Sequence, residues 1–120
     1  MKPNPRASIA YIAGRLISGK CSGSVYDYSG AKHISLAGTV NNSNISVFDY
    51  AQGCHVSGTG NGRAFSLYNH GDSHHINLTI KGNKFQGYDY GSSCHFNGHV
   101  YGNSISLYDY GVGAFFNFSI

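Results

Sequence analysis

The chain has 120 residues, 17 of them Gly and 10 Tyr, with no Glu and no Trp, and carries a formal net charge of +3. That length allows one domain, and so many turn-formers and aromatics describe β structure better than helix. The basic residues are scattered rather than clustered, so no nucleic-acid-binding patch is signalled, and no apolar run is long enough to span a membrane as a helix.

Residues 1–8, with Pro3 and Pro5, read as an irregular lead-in. Ser8, Gly14 and Arg15 interrupt the apolar stretch before Lys20, so no secretory leader is expected. The protein is then expected in the cytoplasm, exported by a leaderless route, or processed before its present first residue. From Ile9 to Ile17 two patterns compete. Ile9, Ile12, Ala13 and Leu16 have helical spacing, while Ile12, Gly14 and Leu16 alternate as in a strand. Shifting by 22 residues sets Tyr11–Ile12 against His33–Ile34, which favours a strand; a capping helix is the alternative.

The remainder is a repeat. Ser24–Tyr28, Ser46–Tyr50, Ser66–His70, Gln86–Tyr90 and Ser106–Tyr110 are copies of one motif, with Asp27, Asp49, Asn69, Asp89 and Asp109 at their centres. The steps between centres are 22, 20, 20 and 20 residues, a period typical of repeat architectures. Each unit carries two alternating segments, such as Ile105 and Leu107 against Ser106 and Tyr108, then Ile76, Leu78 and Ile80 against His75, Asn77 and Thr79. Two half-buried strands per unit follow. Gly71, Gly91 and Gly111 on one side, and Gly60–Asn61, Gly82–Asn83 and Gly102–Asn103 on the other, are turn residues.

The near-constant period predicts an all-β fold over residues 9–120: a β-solenoid (parallel β-helix) of about five coils, with two strands per 20–22-residue coil and strands about 4.8 Å apart. An antiparallel meander or barrel is the alternative. Extra residues around Lys20–Ser22 and Asn41–Asn44 fit bulged turns. Gly87 and Gly98 leave two inward positions empty, marking a cavity or a pinch unless neighbouring side chains lean in.

These strand–turn–strand units with Gly–Asn turns resemble curlins and other short-repeat β-solenoids, without the internal Gln and Ser ladders of curlins. The Tyr–Asp–Tyr–Gly units followed by His also resemble uncharacterised bacterial Tyr-Asp-Tyr repeat proteins. The resemblance covers residues 9–120 and implies a fold more than an activity.

Stacked coils would align Tyr26, Phe48, Tyr68, Tyr88 and Tyr108 in one outward column, and Tyr28, Tyr50, His70, Tyr90 and Tyr110 in the next. Such a face could bind sugar rings, bases or a protein. The central Asp and Asn residues share parity with the inward positions and stand where strand meets turn, so they read as corner-formers that accept turn N–H groups. His33, His55, His75, His95 and Phe115 form another column. Beside it Cys54, His74 and Cys94 are candidate zinc ligands, although no recognised zinc spacing is present. An odd cysteine count, with Cys21, argues against a disulfide framework. Phe115, Phe116, Phe118 and Ile120 load the last strand with apolar side chains and no polar cap follows, which suggests a plugged end or end-to-end pairing.

The resulting expectation is a non-enzymatic structural or interaction module, a homo-oligomer through its solenoid ends, needing no cofactor. A carbohydrate-binding module using the Tyr face is the alternative, and a metal-dependent enzyme a third reading.

Overall fold

A computed structural model describes all 120 residues. Helix α1 (Pro3–Ser18) precedes ten strands: β1 (Ser24–Asp27), β2 (Lys32–Val40), β3 (Asn44–Asp49), β4 (Cys54–Gly60), β5 (Ala64–Asn69), β6 (His74–Lys81), β7 (Lys84–Asp89), β8 (Cys94–Tyr101), β9 (Ser104–Asp109) and β10 (Ala114–Ser119). Each strand pairs antiparallel with its neighbours in the chain, and β10 returns to β1 through Tyr26↔Ser119 and Asp27↔Phe118. The sheet is a closed antiparallel barrel, so the expected parallel β-solenoid is overturned.

The turns are the physical reason. Gly82–Asn83 and Gly102–Asn103 are two-residue loops joining Lys81↔Lys84 and Tyr101↔Ser104, with glycine φ of 61° and 56°. Glycine at positive φ in the first loop position is type II′ geometry, which matches the twist of an antiparallel hairpin. At the opposite end four residues reverse the chain, as Tyr50 to Gly53 do between the paired Asp49 and Cys54. There Asp49 Oδ1 accepts the Ala51 N–H at 2.9 Å, and Asp27, Asn69, Asp89 and Asp109 repeat that bond to Ser29, Gly71, Gly91 and Gly111. Both connections return the chain beside itself, and neither supplies the arc of a solenoid coil. The one 22-residue step is absorbed by the long β2 and the loop at Asn41–Ser43.

Curvature is built in by glycine. At each of four junctions between hairpins one member of an inward pair is Gly: Gly38↔Val47, Gly58↔Leu67, Leu78↔Gly87 and Gly98↔Leu107. A Cβ at Gly38, Gly58, Gly87 or Gly98 would fall on a carbonyl oxygen of the adjoining strand, from Ser46, Ser66, Asn77 or Ser106. The backbones are pinched there, as a tightly coiled barrel wall requires. No void results at Gly87 and Gly98, because the Phe96 and Phe85 rings directly opposite lie over them.

Ten strands enclose more space than their own side chains fill, and α1 occupies it. Ala7, Ser8, Ile9, Ala10, Tyr11, Ile12 and Ala13 are seven consecutive residues at 0–2% exposure, which only a helix surrounded on all sides can show. Its small residues let the wall approach: a Cβ on Gly14 would sit 2.6 Å from Ile105 Cδ1. Pro3 and Pro5 suit the first turn, where N–H groups have no intrahelical partner, and Gly19 ends the helix at φ 72° with its N–H on the Arg15 carbonyl. The expected strand at 9–17 is therefore helix, and the expected lead-in at 1–8 is largely its first half.

Candidate functional site

The loop-side mouth of the barrel carries the acids. Asp27, Asp49, Asn69, Asp89 and Asp109 point inward there at no more than 6% exposure. Helix α1 enters with its positive end toward them, a favourable dipole arrangement. The Met1 ammonium donates to Asp109 Oδ2 at 2.8 Å, Arg6 Nη1 lies 3.3 Å from the same oxygen, and Asn4 Nδ2 donates to Asp49 Oδ2 at 3.2 Å. Burial pushes the Asp109 carboxyl up, but hydrogen bonds from Met1, Gly111 and Arg6, with the ammonium's charge, outweigh it and hold the group below its ordinary range. Burial likewise lowers the ammonium's affinity for its proton, and Asp109 more than restores it, so that group is raised.

The candidate zinc ligands Cys54, His74 and Cys94 begin β4, β6 and β8, and are thus separated by an intervening strand each time. Each instead packs on the first turn glycine of the next hairpin, Gly71, Gly91 and Gly111 respectively. No group of three or more His, Cys, Asp or Glu residues is close enough to hold a metal ion. All three cysteines are free thiols, and burial, then the Asp49 and Asp72 charges, raise the Cys54 pKa.

The four residues expected to associate through a chain end are divided by the pleat. Phe118 is 1% exposed, Phe116 and Ile120 pack against the core, and the Arg6 guanidinium sits 3.4 Å from the Phe116 ring centre. Only Phe115 faces outward, at 61% exposure. β10 is paired along its length with β9 and closes on β1 through Phe118 and Ser119, so it is not a free edge strand.

The aromatic residues do face outward, but not as stacked columns. Tyr26, Phe48, Tyr68, Tyr88 and Tyr108 lie on alternate strands and pair across each hairpin with His33, His55, His75, His95 and Phe115. Each makes edge-to-face contacts with that partner and with the residue two further on, Tyr28, Tyr50, His70, Tyr90 or Tyr110, at centroid distances of 4.7–5.0 Å. Five aromatic trios thus form a girdle around the barrel. Its outer rings lean on the preceding hairpin: Asn77 and Asn97 donate to the Tyr90 and Tyr110 hydroxyls at 3.2 and 2.8 Å, and His70 meets Ser57 at 2.9 Å.

Beside the girdle, across the outer faces of β6, β7 and β8, lies an open groove of about 520 Å³, where the Asn77, Gln86 and Asn97 amides meet the Tyr88, His95 and Tyr110 rings. A second groove of about 520 Å³ shares Thr79, Gln86 and Asn97 with it and extends to Lys81, Lys84 and His99. The sequence reading found Tyr88 and Tyr110 but missed the amides and lysines, which sit at alternating positions of their strands and are legible as neighbours only once the register is known. Comparisons with protein-family models, curated proteins and solved structures find no match to this chain.

Proposed function

We propose that the protein is a non-enzymatic saccharide-binding module that uses the outer wall of its barrel. The observation that carries this reading is the groove over β6 to β8, where amide and aromatic side chains alternate around a space of about 520 Å³. A sugar ring offers an apolar C–H face that packs on an aromatic ring, and hydroxyls that pair with amides able both to donate and to accept. The rest of the wall supports a water-facing role. Ser46, Ser66, Asn77 and Gln86 are exposed at mid-strand, where a membrane-spanning barrel carries its apolar band, and the apolar side chains fill the lumen instead. Four of the five aspartates are buried with one oxygen committed to a turn, so the paired-acid chemistry of glycoside cleavage has little to draw on.

On a glycan array, the chain is expected to select particular oligosaccharides, and Tyr88→Ser with Tyr110→Ser is expected to weaken that binding by about tenfold or more while the far-ultraviolet spectrum is unchanged. Binding that survives both substitutions would remove the groove from consideration.

Self-association is a second reading, moved from the chain ends to one sector of the wall. Only in the fifth trio does Phe115 stand in place of His, and Val112 in the adjoining turn is 57% exposed beside Phe115 at 61% and Tyr110 at 55%. Light scattering across a concentration series is expected to show a dimer that Val112→Ser with Phe115→Ser converts to monomer; a wild-type monomer at every concentration refutes it.

A further inference from the structure

The formal charge of +3 understates the outer surface, because the fold separates the signs. Of the five acids, Asp27, Asp49, Asp89 and Asp109 are turned into the barrel mouth at 0–6% exposure, and the fifth, Asp72, is engaged by Lys2 at 3.3 Å. Arg6 is buried with Asp109 and Arg15 is half-buried, but the six remaining basic side chains, all lysines except Arg63, are exposed. Lys81 and Lys84 are exposed, face each other directly across the β6–β7 hairpin, and take part in no ion pair. Like charges opposed across strands destabilise a hairpin, and an anion between them reverses the sign of that interaction. His99 stands next in the same register, opposite Lys84.

This row of two lysines and an imidazole closes one end of the groove. Lys81, Lys84 and His99 border a depression that also reaches the Phe115 ring, and its floor, Thr79, Gln86 and Asn97, continues into the aromatic end at Tyr88. On β6 and β7 the order is ring, then amide or hydroxyl, then cation, and on β8 it is ring, amide, imidazole. We infer that the ligand of this groove is an acidic saccharide, one sugar ring packing near Tyr88 and a carboxylate or sulfate on a neighbouring unit received by Lys81, Lys84 and His99. This inference rests on the saccharide-binding reading above and adds the charge of the ligand. A single-stranded nucleic acid fits less well. Its phosphates need positive charge along the whole track and its bases need a run of ring faces, whereas here the charge sits at one end and the middle of the groove is amide and hydroxyl.

The test is calorimetric titration of the full chain at physiological salt, where the Debye length of about 8 Å leaves only close charges effective. Four probes are compared: a neutral galactan tetramer, a galacturonate tetramer, a sulfated galactan tetramer and a uridine oligonucleotide. At least one acidic tetramer is expected to bind about tenfold or more tighter than the neutral one, and Lys81→Gln with Lys84→Gln to remove that preference while the far-ultraviolet spectrum is unchanged. Which acidic tetramer is preferred tells carboxylate from sulfate. If neutral and acidic tetramers bind alike and Tyr88→Ser weakens both, the ligand's charge is refuted while the saccharide reading stands. If no saccharide binds, both fall. Tighter binding of the oligonucleotide than of either acidic tetramer overturns the inference in favour of nucleic acid.

Discussion

Asp109→Ala is expected to destabilise the barrel by about 3–5 kcal/mol, the range found when one partner of a buried ion pair is removed and the other charge is left behind. Two cations converge on this carboxylate, the Met1 ammonium at 2.8 Å and Arg6 at 3.3 Å, and the Asp109 side chain has no exposed surface. The Gly111 N–H also loses its acceptor, and with it the last four-residue turn loses its lock. Urea unfolding checks the magnitude, and pH checks the cause. Asp109 titrates lower in the folded chain than its ordinary 3.8, so its contribution is present above that value and is lost as pH falls through the folded pKa. The ammonium titrates above its ordinary 8.0, so its contribution is present below that value and is lost as pH rises through the folded pKa. The wild-type chain beginning at Met1 should therefore lose stability on both sides of a plateau between those two limits. Asp109→Ala should flatten both flanks, and flanks that persist unchanged would mean the pair does not hold the helix in place.

Gly58→Val is the second large effect, expected to cost about 3 kcal/mol or more, beyond ordinary core overpacking. The new Cβ would land on the Ser66 carbonyl oxygen and 2.9 Å from the Leu67 Cα, and no rotamer moves a Cβ away from backbone. Thr59→Val, at the neighbouring outward position, is the control and should stay within about 0.5 kcal/mol. Thermal unfolding of the two variants side by side decides the matter. Equal midpoints would show that the β4–β5 junction is not pinched, and the glycines would then need another explanation.

Part of the mouth is legible in the sequence. The central Asp and Asn residues read as corner-formers, and they do accept the turn N–H groups. One signal in the repeat went unused. Tyr26 to His33, Phe48 to His55, Tyr68 to His75, Tyr88 to His95 and Tyr108 to Phe115 are all seven residues apart. Around a four-residue turn that spacing is the register of a hairpin, and each pair is directly opposed. A second signal is the matching of sizes between turns: Gly71, Gly91 and Gly111 make room for Cys54, His74 and Cys94 from the preceding hairpin. Both are contacts between antiparallel neighbours, which a parallel stack of units does not make.

The repeat, its two strands, the parity that separates Ile105 and Leu107 from Ser106 and Tyr108, and the turns at both ends can be read from the residues alone, because these depend on local backbone preference and a two-residue period. Strand direction, closure and the place of α1 are properties of the assembled barrel. Alternation is the same for parallel and antiparallel strands, so parity cannot choose between them. Closure depends on how far ten strands coil, which Gly38, Gly58, Gly87 and Gly98 set by contact with the neighbouring backbone. A helix enclosed on every side needs no polar stripe, so the helical spacing of Ile9, Ile12, Ala13 and Leu16 had no polar face beside it to set it apart from an alternating strand.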